Sequence, residues 1–525
     1  MTEKWSGWFW AILAVYLLGG FILYFPLRYQ VNPDAISYLT IAKNYSRGYW
    51  MDAVNAYWSP LISWVIALFC RIPVDPLFIF KWYNLIVGMG GLFACNQLMQ
   101  YLGIKSYSRN LFLSILAIIF LRFVFSVTTP DLTVTVLLLF FLPYWLTGKL
   151  LRKPLITGTW IALLYFAKAY NFFFVTGLLV FEVASLVVQK ELPIKRILGN
   201  ILLLYGVFFI LASPWLWALH HKYGYFMLAG TAKFNHGAAR YDNYAYMLRF
   251  VAPPHSHSVF AWEDPVLKSG FRDYSVFESR ENFLFQLKIV WKNLLQFLTG
   301  ATNTLLIVFI GTILMIVSYL IRIKELAGMP AIGKWLFKNE YFKIFAFSTL
   351  YISGYLLIFV EDRYVWTSVV LSVIAGAFLF DYFLSVDKRR WLYFALFLVL
   401  DIILAWHSLY SNFFKAPPHY KEIAIAEYRT SRRFISLPPE KKKMAKWPDD
   451  GGYTLFGSWY VAYFSEGSHY FSLPADISKA NELIEGNGIS IVFVPAGTEI
   501  PEGFVIKNWT KISDGIPESI IYQRP

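Results

Sequence analysis

Eleven apolar stretches of this chain read as membrane spans, one of them (155–167) short, and that pattern limits its fold more than any other feature. A hydrocarbon core of about 30 Å is crossed by roughly 20 helical residues. The stretches lie near residues 8–25, 78–100, 110–127, 130–148, 155–167, 171–189, 197–219, 303–321, 344–360, 364–384 and 391–409. Lipid offers no hydrogen bonds, so each stretch must pair its backbone groups internally and is expected to be a helix. Another apolar stretch, 60–72, is too short to span and has Pro60 and Pro73 at its ends. It reads as an interfacial or re-entrant helix. Composition closes off the soluble alternatives: 57% of residues are hydrophobic and 15% charged, against about 45–50% and about 25% in soluble domains.

Charge orients the spans. With the N-terminus inside, the inner gaps hold Lys105 and Arg109; Lys149, Arg152 and Lys153; Lys190, Lys195 and Arg196; Arg322, Lys324, Lys334, Lys338 and Lys343; and Lys388, Arg389 and Arg390. The short outer gaps, Thr128-Thr129, Ala167-Lys168-Ala169-Tyr170 and Glu361-Asp362-Arg363, carry almost no excess positive charge. The net charge of +14 is thus a positive-inside signature rather than a nucleic-acid footprint, and no nucleic-acid partner is expected. No small-residue cleavage site precedes Pro26, so the first span is expected to be retained. Cys70 and Cys95 are expected to be free thiols.

Three segments then face outside: 26–77, 220–302 and the tail from 410. The expected architecture is a membrane domain over 1–410 and a small soluble α/β domain over 411–525. In the tail, Ser478–Gly486 reads as a helix. Ile489–Val494, Phe504–Ile506 and Ser519–Tyr522 read as strands, and 436–452 as a solvated loop. The predicted class is mainly α, a polytopic membrane protein with about 11 transmembrane helices and interfacial helices in the first outside loop.

Ionisable groups collect near the outer ends of the spans. Asp34 follows span 1, Asp131 opens span 4, Lys168 lies between spans 5 and 6, and Glu361, Asp362 and Arg363 lie between spans 9 and 10. In the first loop Pro33 and Asp34 mark a helix start and Gly48 its stop. Apolar Ile36, Leu39, Ile41 and Tyr45 are interspersed with Ser37, Lys43, Asn44 and Arg47, as in a helix lying in the interface. Asp52, Asn55 and Tyr57 follow and are candidate substrate contacts. Some ionisable residues fall within spans, among them Arg122, Glu182 and Asp401.

The order of these features resembles the GT-C superfamily of membrane glycosyltransferases, and within it the protein O-mannosyltransferase and aminoarabinose-transferase branch. Thr129-Pro130-Asp131 resembles that branch's proline-aspartate position. Ala167-Lys168-Ala169-Tyr170 resembles its lysine turn, and Glu361-Asp362-Arg363-Tyr364 its acidic-arginine-tyrosine turn. Trp58-Ser59-Pro60-Leu61 resembles its His-Pro-Pro-Leu stretch without the His, and Ala35 stands where many members carry a second acid.

The resemblance implies a sugar donor on a polyprenyl phosphate, the bilayer as a partner, and a glycan, lipid or protein acceptor outside a bacterial inner membrane. Lys168, Arg363 and Arg122 are then candidates for the donor phosphate, as a point charge and planar forks. Asp34 is the candidate general base, with Asp131 a second catalytic carboxylate. Asp52, Asn55, Tyr57, Glu361, Asp362 and Tyr364 are candidate substrate contacts. His255, His257 and Glu263 in the second outside loop are candidate ligands for a divalent metal, although their spacing matches no tight ligand signature. The competing reading is a lipid or small-solute transporter or flippase. Such folds usually show repeated halves and binding groups at mid-membrane. This chain shows no repeat, and its charges collect at one face.

Overall fold

The computed structural model describes residues 6–299, 302–326, 337, 339–386, 418–448, 454–512, 516 and 519–525. In chain order the helices begin with α1 (Gly7–Leu27), α2 (Pro33–Arg47), α3 (Trp50–Ala53), α4 (Leu61–Ala67), α5 (Pro76–Tyr101) and α6 (Ser106–Ser126). They continue with α7 (Asp131–Leu146), α8 (Pro154–Ala167), α9 (Tyr170–Gln189), α10 (Ile194–Tyr223), α11 (Thr231–Tyr241) and α12 (Pro265–Lys268). Then come α13 (Arg280–Leu298), α14 (Asn303–Leu326), α15 (Glu340–Leu356), α16 (Trp366–Val386) and α17 (Pro418–Phe434). The last two are α18 (Thr454–Ser465) and α19 (Ile477–Asn487). The strands are β1 (Lys443–Lys446), β2 (Ser468–Ser472), β3 (Ile491–Pro495), β4 (Thr510–Ile512) and β5 (Ser519–Gln523).

Among the described residues, six helical segments are long and apolar enough to cross a membrane: Gly7–Leu27, Pro76–Tyr101, Ser106–Ser126, Tyr170–Gln189, Ile194–Tyr223 and Asp362–Ser385. The chain is a multi-pass membrane protein. The stretches at 130–148 and 155–167 form shorter apolar helices, α7 and α8. Those at 303–321 and 344–360 fall on α14 and α15. The stretch at 391–409, with Asp401, lies outside the described residues, as do Lys334, Lys338, Lys388, Arg389 and Arg390.

The chain divides into two compact units. The first comprises Met1–Tyr24, Lys81–Leu216 and Ser275–Lys415; the second comprises Phe25–Phe80, Trp217–Tyr274 and Ala416–Pro525. Most of both outside loops therefore clusters with the tail rather than with the spans. In the first unit α7 is packed in the interior, with Leu138, Leu139, Phe141 and Trp145 fully buried. The N-terminus of α15 is capped by Asn339, whose side chain accepts from the backbone N–H of Tyr341 and Phe342. A tie across α7 and α9 joins Trp145 Nε1–H to Glu182 Oε2 at 3.1 Å, so the carboxyl inside span 6 has a partner.

In the second unit α2 starts with Pro33 in the first turn and ends at Gly48, whose φ of 86° lies in the left-handed region. An amphipathic helix on the interface is not what forms there. Residues Ala35 to Ala42 are buried all round, and Ser37 and Thr40 satisfy their hydroxyls on the carbonyls of Trp262 and Ile36. Of the polar residues that suggested a wet face, Ser37 and Asn44 are buried, whereas Lys43 and Arg47 keep some exposure and meet Glu466.

The tail folds around a five-stranded mixed sheet of order β2-β1-β3-β5-β4. β1 runs parallel to β2 and β3, while β5 is antiparallel to β3 and β4. Val492, Val494, Ile484, Ile489 and Ile506 are buried in its core, each contributing about 1.5–3 kcal/mol by burial. The edge strand β2 is covered by the second outside loop, where His469 N–H donates to Val259 O and Val251 N–H to Tyr470 O.

Two expectations for the tail fail. The segment read as a solvated loop contains β1, with Met444, Ala445 and Lys446 buried. Its lysines bury their stems while their ammonium groups find carbonyls, Lys442 on Ile435 and Lys443 on Asn487. Phe504–Ile506 is not a strand but leads into a 3-10 turn, Val505–Asn508, held by Asn481, which bonds both Gly503 O and Val505 N–H. The helix expected over Ser478–Gly486 runs from Ile477 to Asn487 and stops at Gly488.

Candidate functional site

Three helix ends meet in the first unit. Asp131 is the first residue of α7, Lys168 caps the C-terminus of α8, and Glu361-Asp362-Arg363 connects α15 to α16. Lys168 Nζ donates to Asp131 Oδ1 at 2.7 Å, and Thr129 Oγ1 donates to Oδ2 at 2.8 Å. Arg363 Nε lies 3.8 Å from Asp131 Oδ2 and 2.6 Å from Glu361 Oε2. Asp131 keeps only 5% of its side-chain exposure and Lys168 20%, so this pair is largely shielded from water. Removing either partner of such a pair leaves a charge with little solvent to screen it.

Aromatic rings complete the setting of Lys168. Its ammonium stands 4.0 Å from the centroid of Tyr364 and 5.2 Å from that of Tyr355. The rings of Tyr355 and Tyr364 stack at 4.6 Å and 15°, and Tyr170 packs on Tyr355 at 4.4 Å. Tyr170 Oη donates to Tyr351 O at 2.6 Å. Gly354 makes room for this ring: a Cβ there would stand 2.4 Å from Tyr170. The last carbonyls of α15 are met by α13, where Asn293 donates to Leu356 O and Gln286 to Leu357 O. Beside them Asp362 accepts from Thr302 at 2.6 Å and from Thr304 at 3.1 Å, and Arg122 Nη2 donates to Thr304 Oγ1 at 3.1 Å.

The group thus holds three acids (Asp131, Glu361, Asp362) and three bases (Arg122, Lys168, Arg363). Of the three cations expected to await a phosphate, Lys168 and Arg363 already have carboxylates beside them. Sequence reasoning anticipated the charged members and named Thr129 and Tyr170 only as parts of their motifs; it missed Tyr355. Tyr355 sits inside an apolar run and shows no local signal.

In the second unit Asp34 is half-buried in the first turn of α2 and accepts from Trp262 Nε1–H at 3.1 Å. Asn55 and Tyr57, expected as substrate contacts, are engaged internally. Asn55 Oδ1 accepts from the N–H of Tyr57 and Trp58, its Nδ2 donates to Glu263 O at 2.6 Å, and Tyr57 Oη donates to Asn235 at 2.9 Å. Asn at this position closes a turn through its Oδ1 and ties that turn to the Glu263 carbonyl through its Nδ2.

Asp52, His255, His257 and Glu263 do come together. Asp52 Oδ2 lies 3.0 Å from His257 Nδ1 and 3.7 Å from His255 Nδ1, and His255 Nε2 lies 3.5 Å from Glu263 Oε1. Burial pushes the His255 imidazole down to about 4 against the pull of Asp52, and burial pushes the Glu263 carboxyl well up. Lys222 and Asp264 form an unforeseen buried pair at 3.1 Å, with Lys222 also donating to Val54 O.

No protein-family model matches the chain, and no curated protein matches it. Among solved structures it is similar to ArnT from Cupriavidus metallidurans bound to undecaprenyl phosphate, with a TM-score of 0.45 and 10% identity over 98% of each chain. The apo form of that ArnT gives 0.44 and 10% identity, covering 98% of this chain and 97% of the other. Likeness at this level transfers no residue role to the present chain.

Proposed function

We propose that this protein is a glycosyltransferase that moves a sugar from a polyprenyl-phosphate donor to an acceptor hydroxyl at the outer face of the membrane, by a single inverting displacement. One observation carries the reading: Asp131, Lys168, Glu361 and Arg363 converge from the ends of apolar helices. A lipid phosphate brings permanent negative charge to the membrane boundary, and fixed cations at helix ends suit it. On binding, the phosphate oxygens compete with Asp131 and Glu361 for Lys168 and Arg363. Arg363 offers a fork for two oxygens, and Lys168 a point charge steadied by the Tyr364 ring.

As the anomeric C–O bond breaks, its electron pair passes to the phosphate oxygen, and the two cations stabilise that charge. Arg122, Thr304 and Asp362 hold the turn that carries Arg363. Asp34 is the proposed general base, taking the proton of the acceptor hydroxyl as its oxygen attacks the anomeric carbon. The Trp262 N–H fixes the orientation of that carboxylate. The acceptor class is a glycan, lipid or protein on the outside of a bacterial inner membrane.

The test offers a panel of radiolabelled polyprenyl-phosphate sugars to protein in nanodiscs, comparing wild type with K168M and D34N. Transfer or sugar release by the wild type, lost in both variants while they remain folded by size-exclusion chromatography, is the expected result. Absence of turnover with every donor, together with no donor-induced thermal shift, would overturn the reading in favour of a transporter or flippase.

A further inference from the structure

The short helix α3 and the second outside loop bring together three side chains that the proposed transfer does not use. Asp52 Oδ2 is 3.0 Å from His257 Nδ1 and 3.7 Å from His255 Nδ1. One ligand atom from each of the three lies within 4.8 Å of the others. Around a tetrahedral zinc with bonds of about 2.0–2.2 Å, neighbouring ligand atoms stand roughly 3.3–3.5 Å apart. The trio is therefore close to the right size, and a contraction on the order of 1 Å closes it. The His257 ring is already oriented by stacking on Tyr49 at 3.6 Å and 12°.

The setting of His255 goes beyond ordinary loop hydrogen bonding. Its ring stands between two carboxylates, Asp52 on the Nδ1 side and Glu263 at 3.5 Å from Nε2, with Ser258 Oγ 2.9 Å from Nε2. A neutral imidazole has one N–H and one lone pair. With Nε2 protonated toward Glu263, the Nδ1 lone pair faces Asp52 and has the Ser258 hydroxyl at 3.1 Å as a donor. A cation beside Nδ1 takes that lone pair while Nε2–H points to Glu263. Glu263 is itself buried and held by Ser258 and Asn44. A carboxylate behind a ligating histidine is the usual outer support of such sites.

We propose that Asp52, His255 and His257 bind one divalent transition-metal ion of the zinc type, with Glu263 supporting His255 from behind. Two imidazoles and one carboxylate favour zinc and its neighbours over magnesium or calcium, which prefer all-oxygen shells. Three protein ligands leave a further coordination position, as in open zinc sites. His255 and His257 also line a cavity of about 730 Å³ inside the second unit, whose wall carries Lys43, Arg47 and Glu466. An exchangeable ligand can reach the ion from there.

This proposal does not rest on the transferase reading, and its test needs no turnover. Full-length protein in detergent is stripped with a chelator, dialysed and titrated with Zn²⁺ alone and with Co²⁺ alone. Bound metal is counted by elemental analysis, and the Co²⁺ visible bands report coordination geometry. The expected result is one equivalent in the wild type and in H236Q, whose imidazole lies on α11 against Tyr274 and outside the trio. Affinity should fall more than about tenfold in D52N and H257Q, and roughly ten- to a hundredfold in E263Q. Asp52 keeps 35% of its side-chain exposure, so D52N tests the site where a buried substitution fails to fold. Wild-type protein that binds no metal above the level of the D52N/H257Q double variant would overturn the proposal.

Discussion

Both units assemble carboxylates with nitrogen bases, yet from different materials. In the first, Asp131 and Glu361 face Lys168 and Arg363, an ammonium and a guanidinium. In the second, Asp52 and Glu263 face imidazoles, and burial disfavours protonation of His255. A group of fixed positive charges matches a ligand whose negative charge is permanent, such as a phosphate ester. A group of imidazoles with carboxylates matches a ligand that takes lone pairs, such as a transition metal. The choice of base, more than the number of charges, separates the two sites.

The comparison is broken most forcefully at Lys168. K168M leaves Asp131 shielded and without its nearest cation, and should lower stability by up to about 3 kcal/mol. The K168M/D131N double variant should lose less than the two single variants summed, because neither charge is then stranded. Thermal or denaturant unfolding of all three proteins checks this. Strict additivity would show that Lys168 and Asp131 do not act as a pair.

A smaller effect separates the units by pH. His469 in β2 is fully buried, its Nδ1 accepts from Phe471 N–H, and burial followed by nearby Lys446 pushes it down to about 3. Its native pKa lies below the unfolded value of about 6.5. The unfolded chain therefore binds the extra proton first, and stability falls as pH drops from about 6.5 toward 3. At pH 5 the loss is about 2 kcal/mol, read as reduced hydrogen-exchange protection of the β2 amides, and H469Q should flatten it. The Asp131–Lys168–Arg363 group contains no imidazole, so the acid sensitivity of β2 should have no counterpart there.

The smallest effect concerns burial itself. Glu466 meets Lys43 at 3.5 Å and Arg47 at 3.4 Å, the same charge types as Asp131 with Lys168 and Arg363, but Glu466 is half exposed. Burial works against its charge, yet the two cations outweigh it and hold the carboxyl below its ordinary range. E466Q should cost no more than about 0.5 kcal/mol in thermal unfolding, since water already screens the pair. A loss as large as that of K168M would remove the distinction drawn from exposure.

Sequence by itself determined the features that local chemistry writes into neighbouring residues. Apolar runs mark the spanning helices because lipid tolerates no unpaired backbone. Pro33 and Gly48 bound α2, since one presets φ and the other accepts a left-handed turn. The placement of Asp131, Lys168 and Arg363 at helix ends was legible for the same reason. Only tertiary structure decided who meets whom. It joined Asp131 to Lys168 across 37 residues and Asp52 to His257 across 205, surrounded Lys168 with Tyr355 and Tyr364, and turned Asn55 and Tyr57 inward. It also buried the lysine-rich β1, whose local sequence reads as a wet loop. Helix limits depend on one turn of chain, whereas pairings across a fold depend on how many weakly held surfaces pack at once, and no short stretch of sequence carries that sum.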